Sequence, residues 1–195
     1  MKKLLICGFE PFDGEATNPS WDAVLQLSDV IGEYRLEKLL VPVVFGAGAA
    51  RVIEVAQRLE PDVILCIGQA GGRAAVTPEL VGINLRYGRI ADNDGNRPED
   101  VPIVEGGACA YFSPLPVRRM AEAIRREGIP SEVSYSAGAY VCNDLLYTLL
   151  SQYEGGVTRV GFIHVPYSTE QNKQPAMELV TIIRALEIAI MHLDA

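Results

Sequence analysis

The stretch PDVILCIG (61–68) sets Val63, Ile64, Leu65, Cys66 and Ile67 in an unbroken apolar run between a proline and a glycine. A strand with one wet face would alternate apolar and polar side chains. A run without alternation reads as a strand buried on both faces, the condition of a parallel sheet covered by helices. Upstream, GAARVIEVAQRLE (48–60) has helical periodicity and RLEKLLVPVV (35–44) reads as a strand. Before these, NPSWDAVLQL (18–27) predicts a helix with Asn18 as its cap and Pro19 at its first position, and KLLIC (3–7) an opening strand. Downstream, PVRRMAEAIRREG (116–128) is a helix ending at Gly128 and SEVSYS (131–136) a strand. YVCNDLLYTLLSQY (140–153) is a helix, TRVGFIHV (158–165) a strand and PAMELVTIIRALEIAIMHL (175–193) a closing helix. Strands separated by helices imply an α/β fold: a three-layer α/β/α sandwich around a largely parallel twisted sheet.

Residues 71–112 break that rhythm. They are rich in Gly, Asn, Asp and Pro with brief β-like pieces such as LVGINL (80–85), and they predict an excursion from the sheet, a hairpin plus loops. No linker or repeat divides the chain, so residues 1–195 are expected to form a single domain; 49% hydrophobic and 22% charged residues suit a soluble protein with a full core. A net charge of -8 without a Lys/Arg block argues against nucleic-acid binding. MKKLLICGFEPF (1–12) starts like a signal peptide, but Gly8 and Glu10 interrupt its apolar run. With no apolar stretch of membrane-spanning length and four scattered cysteines, a cytoplasmic protein with reduced thiols is expected.

A metal centre is not expected, because His164 and His192 are the only histidines and no two cysteines have CxxC spacing. CGFEPFDGEATNP (7–19) lacks G-x-G-x-x-G and places Phe9, Glu10 and Phe12 where a pyrophosphate would approach, which argues against a dinucleotide cofactor. Cys7 and Cys66 lie inside apolar strands and read as small core residues, and Cys109 has no helix start beside it. Cys142 follows SAGAY (136–140) and opens an apolar helical pattern, where unpaired N–H groups and the helix dipole favour an anion. A nucleophilic thiol needs a base. His164 ends the next strand, on the sheet edge where that helix begins, whereas His192 near the end of the last helix reads as structural. Glu79, soon after the strand 61–68, is placed to orient the imidazole, or else is a solvated surface carboxylate.

The blocks GFEPFDGEATNPSWDA, GQAGGRAAVTPE, RIADNDGN, SAGAYVCN and HVPYSTEQ resemble, in the same order, those of the type I pyroglutamyl peptidases. The resemblance implies an α/β/α cysteine peptidase that removes an N-terminal pyroglutamyl residue with a Glu-Cys-His triad, without a metal or other cofactor, as a cytoplasmic homotetramer. It places the nucleophile at Cys142, the base at His164 and the orienting carboxylate at Glu79. It also implies that Phe9 and Phe12 hold the pyrrolidone ring, that Gln69 lies near the lactam, that Arg89 lies beside the active site, and that Ile90 and Tyr140 belong to the pocket. Phe9 and Phe12 could equally be core residues, and Arg89 could hold the DNDG loop by ion pairing. Two positions depart from the family pattern, a basic residue after the glutamate and an alanine two places on: here they are Leu80 and Gly82, which removes a cation beside Glu79. A nucleoside phosphorylase-like transferase and a non-catalytic binder of cyclised peptide ends are the rival readings of such a fold.

Overall fold

In a computed structural model, which describes residues 1–194, the opening strand β1 (Lys2–Phe9) leads to helix α1 (Pro19–Gln26). Asn18 caps α1 as expected, its side chain accepting the Ser20 N–H at 3.1 Å. A two-residue strand β2 (Val30–Ile31) precedes β3 (Tyr34–Val41), which stops where Pro42 removes a ladder donor. Helix α2 (Ala47–Leu59) and strand β4 (Val63–Gln69) follow. The excursion contains β5 (Thr77–Pro78), β6 (Val81–Ile83) and β7 (Ala110–Phe112), the last two paired antiparallel. Then come helices α3 (Val117–Arg126) and α4 (Val141–Gln152), strand β8 (Arg159–Val165), a short parallel pair β9 (Tyr167–Ser168) and β10 (Ala176–Met177), and helix α5 (Leu179–Met191).

The main sheet runs β2-β3-β1-β4-β8-β5. Its four inner strands are parallel, and the two-residue strands at both edges are antiparallel. Alternate side chains of each inner strand enter two cores. Leu4, Ile6, Val63, Leu65, Ile67, Ile163 and Val165 pack with α1, α3 and α5, whereas Leu5, Cys7, Phe9, Ile64, Cys66, Val160 and Phe162 pack with α2 and α4. Burial on both faces is why β4 reads as continuous apolar sequence. Among the described residues no helix is long and apolar enough to cross a membrane.

Two elements differ from their sequence reading. Residues 131–136 form isolated bridges from Ser131 to Val76 and from Ser134 to Glu79 rather than a strand. The place beside β8 is taken by β5, with Thr77 opposite His164, so this segment meets only the far side of that short edge. The last helix starts at Leu179 instead of Pro175, because Ala176 and Met177 pair with Tyr167 and Ser168.

Candidate active site

The parallel strands β1, β4 and β8 end together, and the start of α4 meets that edge. Val141, Cys142 and Tyr140 come from the helix start, Phe9 from the end of β1, and Gln69 from the end of β4. With Phe12, Asn18 and Val43 they line one small cavity. Phe9 packs on Phe162 with ring centroids 6.2 Å apart. Tyr140 is held between Phe12 and Phe45, the latter edge-on at 5.2 Å, and its hydroxyl donates to Ala91 O at 2.9 Å. The lining contains no charged side chain. Glu10, the nearest acid in sequence, is engaged elsewhere, accepting from Val43 N at 3.1 Å and Asn93 Nδ2 at 2.7 Å.

His164 lies on the same sheet face as Phe162, their ring centroids 4.8 Å apart, and pairs across the ladder with Gly68. Gly68 makes room for the thiol: a Cβ there would lie 2.7 Å from Phe162 Cζ and 3.0 Å from Cys142 Sγ. Cys142, Gly68 and His164 thus share one corner. His164 Nδ1 is 2.7 Å from Glu79 Oε1. An ionised carboxylate only accepts, so Nδ1 carries the proton and Nε2 is the basic nitrogen. Glu79 is fully buried, not a solvated surface carboxylate.

Arg73 was not singled out from the sequence, although it lies within the same GQAGGRAAVTPE block as Glu79. Its Nη1 donates to Glu79 Oε1 at 2.7 Å and to Thr77 Oγ1 at 2.6 Å, and its Nη2 donates to Ser136 O at 2.9 Å. Glu79 thus has a cation beside it although position 80 is Leu. Leu80 packs against the core of α1, α3 and α5. Gly82 has its own reason, since a Cβ there would come within 3.0 Å of Tyr147 N on α4.

Burial works to raise the Glu79 pKa, but the hydrogen bond and charge of His164, with Ser134 and Arg73, outweigh it and hold the carboxyl below its usual range. Burial pushes the His164 imidazole down; Glu79 opposes this and Arg73 adds to it. Burial pushes the Cys142 thiol up to about 12, with the Glu79 charge adding, against the opposing influence of Arg73 and its own backbone N–H. The helix start favours a thiolate, burial of the sulfur works against it, and burial of the ring works against an imidazolium.

Arg89 is exposed and makes no ion pair among the described residues; Ile90 is half-buried and does not line the cavity. Both precede Ala91, whose carbonyl holds Tyr140. The DNDG loop is organised without Arg89, through Asp92 accepting the N–H groups of Phe45, Asp94 and Asn96.

A thiol at a helix start and an imidazole bonded to a buried carboxylate, at the strand ends of a three-layer α/β/α sheet, are the groups that a cysteine-type hydrolase needs. Residues 2–194 match the family model described as pyroglutamyl peptidase. The pyrrolidone-carboxylate peptidase of Bacillus cereus (strain B4264) is 46% identical over 97% of this chain and 92% of that protein. The crystal structure of Bacillus amyloliquefaciens pyroglutamyl peptidase I superposes with a TM-score of 0.95 at 45% identity, covering 99% of this chain and 97% of the other. The pyrrolidone carboxyl peptidase from Thermococcus litoralis gives 0.93 at 35% identity, over 100% of this chain and 94% of the other. The chain belongs to the pyroglutamyl peptidase family.

Proposed function

We propose that the protein carries out its family's reaction, release of an N-terminal pyroglutamyl residue from a peptide, with Cys142 as nucleophile, His164 as base and Glu79 as the carboxylate that orients the imidazole. The observation that carries this reading is the uncharged aromatic cavity into which the Cys142 thiol opens, backed by the His164–Glu79 pair. His164 Nε2 takes the thiol proton as sulfur attacks the pyroglutamyl carbonyl carbon. The oxyanion is met by N–H groups at the start of α4, where no side chain caps the helix. The imidazolium then protonates the leaving amine, the C–N bond breaks, and a thioester remains. Water, deprotonated by the same imidazole, releases pyroglutamate and the thiol.

The cavity also supports selectivity for an uncharged ring. Phe9 and Phe12 offer flat apolar faces, whereas an N-terminal proline would bring an ammonium group to a lining without an anion. Arg89 and Ile90 belong in this reading beside the pocket, joined to it through Ala91, whose carbonyl holds Tyr140. The whole chain acts as one peptidase domain, in the cytoplasm, where its four free thiols stay reduced. It self-associates as a homotetramer, in keeping with the 70% exposure of Phe112 and the 96% exposure of Val157. Mass spectrometry of a pyroglutamyl peptide after incubation tests the reaction: a product shortened by the pyroglutamyl residue is expected, and an unchanged peptide contradicts it. A monomer in micromolar sedimentation runs would contradict self-association.

A further inference from the structure

The side chain of Gln69 joins a network that the proposed mechanism does not use. Gln171 lies in the 3₁₀ turn 169–171 after β9, as the last member of a capping box with Ser168. Its Oε1 accepts the backbone N–H of Ser168 at 3.1 Å. A backbone N–H can only donate, so this contact settles which end of the Gln171 amide is oxygen. The other end, Nε2, must then donate, and it does so to Gln69 Oε1 at 2.9 Å and, more weakly, to Glu15 Oε2 at 3.5 Å. Glu15 is held in turn by an ion pair with Lys173. With Oε1 of Gln69 held by Gln171, the end of that amide without a partner among the described residues is Nε2, a donor.

We propose that Gln171 is a specificity-determining positioning residue, which fixes the Gln69 amide so that it offers the cavity an N–H donor, and so selects a five-membered ring bearing a carbonyl acceptor. This rests on the pyroglutamyl reading of the cavity and deepens it. The lactam carbonyl is the group that separates a 5-oxoprolyl ring from a prolyl ring on the acceptor side. An amide free to turn could offer its oxygen instead, which would accept from a prolyl ammonium and repel the lactam oxygen. The chain of donors runs from a backbone N–H that cannot reverse to a side-chain amide that otherwise could. That fixed direction is what a discriminating contact needs.

The test uses the full-length protein with pyroglutamyl and prolyl aminocoumarin amides, and two variants of similar size. Gln171→Met removes the donor to Gln69. Gln171→Glu keeps the acceptor for Ser168 but offers Gln69 only an acceptor, which turns the Gln69 oxygen toward the cavity. Each is also made with Glu15→Gln, so that repulsion between a new carboxylate and Glu15 is separated from the effect on Gln69. Gln171→Met should raise KM for the pyroglutamyl amide about tenfold and leave kcat within about twofold, the pattern of lost binding rather than lost chemistry. Gln171→Glu should raise KM further and narrow the pyroglutamyl-to-prolyl ratio of kcat/KM by about tenfold or more, a change that general loosening would not produce. An unchanged ratio in Gln171→Glu, or a loss confined to kcat in Gln171→Met, overturns the role of Gln171 and leaves the peptidase reading intact. Failure of the parent protein to hydrolyse the pyroglutamyl amide removes the reading on which both rest.

Discussion

Arg73 Nη1 and Glu79 Oε1 lie 2.7 Å apart, and the same carboxylate oxygen receives Nδ1 of His164 at the same distance. The carboxylate is thus shared between a permanent cation and an imidazole, and the cation makes a second positive charge on that imidazole costly. With neutral His164 as the proposed base, kcat/KM should fall as pH drops through a pKa below the ordinary 6.5. Replacing Arg73 by Met removes one of the two influences that lower this pKa, so imidazolium forms more readily and the acid limb moves to higher pH. Arg73→Lys keeps a charge but loses the two-nitrogen grip on Thr77 and Ser136; its limb should stay nearer the parent's while kcat falls. The pH–rate profiles of the three proteins check this, and a limb that stays in place or moves down in Arg73→Met contradicts it.

Cys142→Ser should fold normally and lose about 10³-fold or more of kcat, because a serine hydroxyl lacks the nucleophilicity of sulfur and the geometry is otherwise kept. Alkylation should separate two thiols. Cys109 is exposed, so iodoacetamide should modify it without loss of activity. Inactivation should instead follow modification of Cys142 and speed up as pH rises, since that thiol is pushed up to about 12. Peptide mapping at timed intervals reads both; inactivation that tracks Cys109 would contradict the assignment.

The two histidines should behave differently. His164→Ala should cost about 10³-fold in kcat/KM, Glu79→Gln less, because an amide oxygen can still accept from Nδ1, and His192→Ala about twofold at most. His192 sits at the end of α5 with its ring nitrogen 2.8 Å from Ile188 O, away from the cavity. Steady-state kinetics of the three variants checks the order, and similar losses at both histidines would refute it.

Gly68→Ala asks whether the corner between thiol and imidazole is as tight as its distances imply. The added Cβ meets Phe162 Cζ at 2.7 Å and Cys142 Sγ at 3.0 Å, so the ring, the thiol or the strand must shift. A stability loss of about 1–3 kcal/mol is expected, with a fall in kcat larger than the rise in KM. Denaturant titration and kinetics together read this; a variant with parental kcat would show that the corner has slack.

The sequence by itself determined the layer order and the edge at which the candidate residues Cys142 and His164 lie. Both follow from local signals: an unbroken apolar run in β4, helical periodicity in its neighbours, Asn18 and Pro19 opening α1, Cys142 at a helix start and His164 at a strand end. A side chain's face is set by its position within its own element, so such features are legible one segment at a time. Only the tertiary structure decided what depends on groups brought together from separate segments. The edge place beside β8 went to Thr77 and Pro78 rather than to residues 131–136, a choice between two segments that each read as polar and short. Arg73 reached Glu79 through a loop turn that no periodicity announces, and Gln171 reached Gln69 from another strand's end. The surroundings of Cys142 are decided in the same way. A helix start favours the thiolate, but burial opposes it, and the cluster that Cys142 packs against draws on β1, β4, β8 and α4 at once.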